Sequence, residues 1–144
     1  MKLLIVILQA PDAPHLFPDM STILIVEDHS DIRRLIRMTL DFAGHGASVT
    51  EASDGATGLA LAQALRPDVV ITDVMLPGSI DGIALCRRLK ADPALAGTAI
   101  VMISAKGREE DRQAGIEAGA EAYLLKPFSP LELVRALEGL GVTA

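Results

Sequence analysis

In the stretch "DVVITDVMLPG" at residues 68–78, an apolar run is followed almost directly by an acidic residue. Val69, Val70 and Ile71 are typical of a short strand that is covered on both faces. The run ends at Asp73, and a Pro-Gly pair follows a few residues later. Asp73 either ends the strand at a turn, where Asp is common, or is the group that the strand holds in place. The rest of the sequence has to decide between these two interpretations.

The same alternation of apolar runs and helical patterns continues along the chain. Further strands are predicted at residues 22–27, 47–52, 98–104 and 121–126. Amphipathic or Ala/Leu-rich patterns predict helices at residues 31–44, 55–66, 80–92, 109–120 and 129–140. The first helix is expected to end at Gly44. The last begins with Ser129 as the N-cap, Pro130 at the first helical position and Glu132 three residues after the cap.

Five strands that alternate with five helices through short connections predict an α/β fold. Parallel pairing through right-handed crossovers is the arrangement that such connections leave. The result is an open, doubly wound sheet, in which ligands bind outside the carboxyl ends of the strands.

Composition narrows the class of protein. The 144 residues fit one domain, and 50% are hydrophobic, which is enough for a full core. The net charge of −6 argues against non-specific binding to nucleic acid, which needs a basic surface. Cys86 is the only cysteine, so neither a disulfide framework nor a zinc cluster is expected. No apolar run approaches the roughly 18 residues of a membrane span, and a reducing cytoplasm is the expected location.

Residues 1–20 differ from the remainder and are interpreted as an N-terminal extension, tail-like or loosely packed, before a domain at 21–141. An apolar run at Leu3–Leu8 precedes a proline-rich stretch. A secretory signal is disfavoured because the basic region is a single Lys and no cleavage site is clear. An additional strand is the second interpretation. An appended tail is favoured, since the chain from Met20 onward would itself make a good beginning.

Polar residues stand where four of the predicted strands end: Glu27-Asp28, Asp73, Ser104 and Lys126. Each has an ordinary explanation, since Asp28 could cap the following helix and Lys126 could be a solvated surface amine. Together, however, the carboxylates form an oxygen site of the kind that Mg²⁺ prefers. The hydroxyl could donate to an anion, and the ammonium could neutralise a carboxylate or a phosphoryl oxygen.

Four blocks, "ILIVEDH", "VVITDVMLPG" with "SIDG", "IVMISA" and "AYLLKPF", resemble the receiver domain of bacterial two-component response regulators. The resemblance covers Thr22 to Leu140 and is closest in kind to stand-alone, chemotaxis-regulator-like receivers. It implies a flavodoxin-like sheet with strand order 2-1-3-4-5 and five helices. It also implies that the receiver domain occupies residues 21–141.

The resemblance assigns the acids to a phosphorylation site. Asp73 matches the phospho-accepting aspartate. Asp28 matches the acid that ligates Mg²⁺ directly, and Glu27 the neighbouring acid that acts through water. The backbone carbonyl of Met75 would be a further ligand. Metal binding is thus assigned to Glu27, Asp28, Asp73 and Met75.

The resemblance also assigns the groups that respond to phosphorylation. Ser104 matches the residue that moves to hydrogen-bond the phosphoryl group, and Lys126 matches the active-site lysine. The peptide bond from Lys126 to Pro127 is expected to be cis. Tyr123 matches the aromatic residue whose rotamer reports activation. The phosphoryl donor would be a sensor histidine kinase or a phosphotransfer domain.

The signal would leave through the surface formed by the fourth helix and fifth strand. A downstream protein partner is implied, or a homodimer through the fourth helix, fifth strand and fifth helix. Neither nucleic acid nor membrane is an expected partner. The domain is not expected to be an enzyme beyond accepting phosphate and slowly releasing it.

Several positions depart from the family pattern. Three residues, "GSI", separate Pro77 from Asp81 where two are usual, so the adjoining loop is longer. Met75 and Lys106 occupy the positions that place a hydrolytic water. Because an apolar Met cannot orient water, self-dephosphorylation is predicted to be slow. His29, directly after the acid pair, is interpreted as an exposed turn residue rather than a site contact.

Three other functions remain as alternatives. A phosphatase of the haloacid-dehalogenase type would need a second Asp where Met75 stands. A flavin-binding protein would need a phosphate loop and stacking aromatics, but "EDHSD" is acidic and Trp is absent. A receiver-like interaction module that works without phosphorylation is the third. Nothing after Leu140 resembles an output module, so a stand-alone receiver is predicted.

Overall fold

A computed structural model describes residues 22–43, 47–105 and 109–140 of the chain. Within these residues, the strands are β1 (Thr22–Val26), β2 (Ser48–Ala52), β3 (Val69–Asp73), β4 (Ala99–Ala105) and β5 (Ala122–Lys126). The helices in the same ranges are α1 (Ser30–Ala43), α2 (Gly55–Leu65), α3 (Gly82–Ala91), α4 (Glu109–Ala118) and α5 (Pro130–Glu138). A 3₁₀ turn at Pro93–Leu95 follows α3.

The strands form one parallel sheet in the order β2-β1-β3-β4-β5, which confirms the predicted fold. β1 and β3 are neighbours at the centre, although α1, β2 and α2 separate them in sequence. Every carboxyl strand end therefore lies at the same edge of the sheet.

Each side of the sheet has its own apolar core because the side chains of a strand alternate between faces. In β1, Ile23 and Ile25 pack with α1 and α5, whereas Leu24 and Val26 pack with α2 and α3. β3 is buried along its whole length. A strand that is covered on both faces needs apolar residues at its odd and its even positions. This explains why the central strands are continuous apolar runs.

The predicted element ends agree with the observed ones within two residues, and the differences have local causes. α3 begins at Gly82 rather than residue 80 because the Asp81 side chain accepts a hydrogen bond from the amide of Ala84 and caps the helix. The capping box of α5 is confirmed: the side chains of Ser129 and Glu132 each accept from the other's amide. The predicted stop at Gly44, the extension at residues 1–20 and Lys106 lie outside the described residues.

The connection from β3 to α3 brings a helix end close to Asp73. A Cβ atom on Gly82 would lie 1.9 Å from the carbonyl oxygen of Asp73, so only glycine allows this approach. Gly78, in the longer loop, has φ +89° and an open surrounding. The extra loop residue is thus accommodated away from the strand, while the contact at Gly82 fixes where β3 ends.

Within residues 22–43, 47–105 and 109–140, none of the helices has the length and apolar character needed to cross a bilayer.

Candidate functional site

The site lies at the carboxyl edge of the sheet. The β3–β4 register pairs Asp73 with Ile103, and the β4–β5 register pairs Ala105 with Lys126. Glu27 directly follows β1, the other neighbour of β3. Parallel pairing alone therefore brings residues that are far apart in sequence to one edge, as the sequence predicted.

Glu27, Asp28, His29 and Asp73 each offer one ligand atom, and these four atoms all lie within 4.8 Å of one another. Glu27 and Asp73 are almost completely buried, whereas Asp28 and His29 face solvent. The cluster is thus built on two buried acids and is open on one side. Three carboxylates this close repel each other unless positive charge is present.

Lys126 supplies positive charge from β5. Its Nζ lies 2.6 Å from Oδ2 of Asp73 and 3.3 Å from Oε1 of Glu27. Partial burial on its own would lower the pKa of Lys126, but the hydrogen bond to Asp73 and the charges of Asp73 and Glu27 outweigh it and raise the pKa. The ammonium therefore stays charged between the two buried acids.

Burial removes water from the carboxylate of Glu27 and disfavours its charged form. Burial is the main reason that its pKa is raised, and the charge of Asp73 adds to the effect against the hydrogen bonds from His29. Oε2 accepts the amide of His29 at 3.0 Å. Oε1 is buried and has no hydrogen-bond partner within the part of the chain that the structure describes. The ammonium of Lys126, which Glu27 shares with Asp73, lies 3.3 Å from this oxygen.

His29 differs from its interpretation as a turn residue outside the site. Its side chain is 66% exposed, as predicted, but Nδ1 lies 3.0 Å from Oε2 of Glu27 and 3.3 Å from Oδ1 of Asp28. The hydrogen bond with Glu27 is the main reason that the pKa of His29 is raised. The prediction that it does not touch the site was therefore wrong.

The second oxygen of Asp73 is also engaged. Oδ1 accepts the backbone N–H of Met75 at 3.0 Å, so both carboxylate oxygens have a fixed direction. The Met75 side chain is exposed beside the site. The structure thus shows a contact from the backbone N–H of Met75. The role of the Met75 carbonyl as a metal ligand stays a prediction.

Ser104 is brought to the same edge, but its hydrogen bonds lead away from Asp73. It is fully buried in β4, and its hydroxyl donates to Oδ2 of Asp111 at 3.2 Å. Asp111 is itself buried in the first turn of α4. The hydroxyl is thus directed toward α4 in this structure.

Tyr123 lies in β5, next to Met102 across the β4–β5 pairing. Its ring packs against Gly115 of α4, where an added Cβ would lie 3.5 Å from the ring carbons. Its hydroxyl is buried and lacks a hydrogen-bond partner among residues 22–43, 47–105 and 109–140. Burial raises its pKa. Ser104, Asp111 and Tyr123 therefore link the site to α4 and β5.

The donor set fits a hard divalent cation. Mg²⁺ is usually bound by one or two carboxylates and keeps several waters. Here Glu27, Asp28 and Asp73 bring carboxylate oxygens within 4.8 Å of one another, and Glu27 and Asp73 share the ammonium of Lys126.

Comparison with known families identifies the domain. Residues 23–138 match the response regulator receiver domain. The chain belongs to this family. Receiver domains of response regulators generally do not turn over a substrate as conventional enzymes do.

Individual relatives of this receiver are regulators. The phosphate regulon transcriptional regulatory protein PhoB of Pseudomonas aeruginosa is 42% identical over 119 residues, which is 83% of this chain and 51% of PhoB. The chain thus spans about half the length of this curated relative. The chemotaxis response regulator CheY4 of Vibrio cholerae is 34% identical, with a TM-score of 0.75, covering 83% of this receiver and 97% of CheY4.

A second solved structure bears on the metal. The receiver domain of the sensor histidine kinase PA1611 from Pseudomonas aeruginosa is 31% identical, with a TM-score of 0.73 over 83% of this receiver and 95% of that domain. That structure has a magnesium ion coordinated in the active-site cleft.

Two residues of the receiver site were missed from sequence. His29 follows the acid pair directly, and this adjacency was the available signal. Asp111 lies seven residues after Ser104, and nothing in the local pattern separates it from the other acids that begin α4. Its contact with Ser104 depends on how α4 packs against β4.

Proposed function

We propose that this receiver accepts a phosphoryl group on Asp73 in the presence of Mg²⁺ and signals through a change in the α4–β5 surface. The single observation that carries the proposal is the position of the Lys126 ammonium, which touches the buried carboxylates of Asp73 and Glu27. A structural ion pair would need one carboxylate. Two buried carboxylates and a third open acid leave negative charge for a cation to balance.

Glu27, Asp28 and Asp73 are the side chains that would hold Mg²⁺, with the Met75 carbonyl as the predicted fourth ligand. When bound, the ion supplies positive charge to the equatorial oxygens of the transferred group. The donor is a phosphohistidine on a sensor kinase or a phosphotransfer domain. A carboxylate oxygen of Asp73 attacks phosphorus, the nitrogen–phosphorus bond breaks, and the imidazole leaves with the bonding electrons. Lys126 remains near Asp73 and neutralises the added charge.

Ser104 and Tyr123 carry the proposed response. The charged phosphoryl oxygens on Asp73 accept a hydrogen bond from the Ser104 hydroxyl more strongly than the free carboxylate does. They therefore compete with Asp111 for this hydroxyl. Turning Ser104 toward Asp73 removes its hydrogen bond from the first turn of α4. Tyr123 packs against Gly115 of the same helix, so its rotamer is expected to follow. The phosphorylation is thus a local electrostatic event that is read out at α4 and β5.

The partners follow from this mechanism as proposals. A sensor histidine kinase or phosphotransfer domain supplies phosphate in the cytoplasm. A downstream protein, or a second copy of the chain, binds the surface of α4, β5 and α5. An exposed set of apolar side chains lies on these elements: Ile116, Leu125 and Leu131.

Phosphotransfer with a defined control tests the proposal. The protein is incubated with acetyl phosphate and Mg²⁺, and intact mass is measured over time. We expect one phosphoryl group per chain on the wild type and none on Asp73→Asn or in excess EDTA. Phosphorylation of Asp73→Asn at the wild-type rate would disprove the acceptor. The absence of phosphorylation, with no response to beryllofluoride in NMR spectra, would favour the interaction module that works without phosphate.

A further inference from the structure

His29 places an imidazole nitrogen in the carboxylate cluster. Nδ1 lies 3.0 Å from Oε2 of Glu27 and 3.3 Å from Oδ1 of Asp28, while the rest of the ring faces solvent. The backbone N–H of His29 donates to the same Glu27 oxygen. The histidine is therefore held at the open side of the cluster by two contacts to one buried side chain.

These distances fit one coordination sphere. Neighbouring ligand atoms around an octahedral ion with bonds of about 2.1 Å lie about 3.0 Å apart. The distances from Nδ1 to the oxygens of Glu27 and Asp28 are close to this value, and the atom from Asp73 lies within the same 4.8 Å limit. The nitrogen and the three carboxylate oxygens are thus close enough to be gathered around one ion once Nδ1 gives up its hydrogen bond to Glu27.

A second observation points to a cation at this position. Oε1 of Glu27 is buried, belongs to a side chain that is 1% exposed, and has no hydrogen-bond partner in the described part of the chain. Lys126 approaches it at 3.3 Å but makes its short contact with Asp73. One ammonium therefore faces two buried carboxylates, which leaves net negative charge in the cluster that includes His29.

An imidazole nitrogen and carboxylate oxygens suit different metal ions. Carboxylate, carbonyl and water ligands suit Mg²⁺, whereas imidazole suits Zn²⁺, Cu²⁺, Fe²⁺ and Ni²⁺. We propose that His29 is a direct metal ligand of this receiver and shifts the site's preference from Mg²⁺ toward transition-metal ions. The inference rests on the metal site of the proposed function and adds a specificity-determining residue to it.

Competition against Mn²⁺ measures this preference without phosphorylation. Free Mn²⁺ gives a six-line EPR signal that is lost on binding, and Mg²⁺ or Ni²⁺ is then titrated to displace it from the full chain. We expect His29→Ala to weaken Ni²⁺ binding by about tenfold or more and Mg²⁺ binding by less than about threefold. Spin-echo modulation of bound Mn²⁺ should reveal a coordinated nitrogen that is lost in His29→Ala.

Two variants make the outcome decisive. His45→Ala removes another of the three histidines and should leave both affinities unchanged. Asp28→Asn should weaken Ni²⁺ and Mg²⁺ together. If His29→Ala leaves the Ni²⁺/Mg²⁺ ratio unchanged while Asp28→Asn weakens both ions, the histidine is not a ligand and the proposed Mg²⁺ site survives. If neither variant affects either ion, the metal site of the proposed function is also wrong.

Discussion

The ammonium of Lys126 lies 2.6 Å from Oδ2 of Asp73, across 53 positions of sequence. Because the same ammonium also faces Glu27, its removal would leave two buried carboxylates without their counter-charge. We expect Lys126→Met to lower the free energy of unfolding by about 3 kcal/mol without divalent ions. Mg²⁺ should recover part of this loss. Urea unfolding with and without Mg²⁺ measures both values.

Lys90→Met is the matched control for this prediction. The side chain of Lys90 is as exposed as that of Lys126, at 22%, but it pairs with the more exposed Glu121. Its loss should be about 1 kcal/mol or less and should not respond to Mg²⁺. Equal losses in the two variants would mean that the acids of the site do not depend on Lys126.

Glu27→Gln should stabilise the protein in the absence of metal. Burial raises the pKa of Glu27, so its ionised form is unfavourable in the folded state at neutral pH. An uncharged amide of the same shape can still accept the amide of His29. We expect a gain of about 1 kcal/mol in urea unfolding with EDTA and weaker Mn²⁺ binding. A loss of stability in EDTA would contradict this account.

Gly82→Ala should be destabilising although Ala is the better helix former. The added methyl would meet the carbonyl of Asp73 at 1.9 Å, and this backbone cannot move without shifting the end of β3. We expect a loss of about 1–3 kcal/mol in thermal or urea unfolding and slower phosphorylation. Gly97→Ala, where nothing lies within 4 Å, should change stability by no more than about 0.5 kcal/mol.

Glu51 of β2 forms ion pairs with α1, and these predict how the stability of the protein depends on pH. The hydrogen bond from Arg37 lowers its pKa against a smaller effect of burial, and Arg33 adds a further contact at 3.0 Å. A depressed pKa contributes stability above the unfolded value of 4.5, and this is lost as pH falls through the folded pKa. The difference between wild type and Glu51→Gln should be about 1 kcal/mol near neutral pH. It should vanish in acid, as urea unfolding across pH can establish.

Met75 sets the expected lifetime of the phosphorylated state. Its side chain is exposed beside Asp73, and its thioether has no hydrogen-bond donor and only a weak acceptor for a water molecule. We expect Met75→Asn to shorten the lifetime by about tenfold, since an amide can orient water for attack. Intact-mass measurements after removal of acetyl phosphate give the two rates. A wild-type half-life of seconds, unchanged in the variant, would contradict this role.

The fold could be predicted from sequence because its signals are local. The apolar runs of the buried strands and the capping residues around Ser129 depend on neighbours in the chain, and these were confirmed. The cap at Asp81 and the turn at Pro93–Leu95 were missed, since each is a short local feature at one end of α3. Strand order then brought Asp73 and Lys126 to one edge without further assumptions.

Side-chain contacts between elements were harder to predict. His29 was assigned to solvent because its position in a turn says nothing of its rotamer, and it touches two acids. The direction of the Ser104 hydroxyl depends on how α4 packs, which no pattern in β4 encodes. The ligand roles of Asp28 and Met75, the extension at residues 1–20 and the slow loss of phosphate stay predictions.

The separation of Asp73 and Lys126 in sequence has a consequence for biosynthesis. At about 5–20 residues per second, a ribosome needs roughly 3–10 s to add the intervening segment. Throughout that interval the nascent chain already contains Asp73 but not the lysine that pairs with it. The ion pair at the site therefore cannot form co-translationally before β5 has been made.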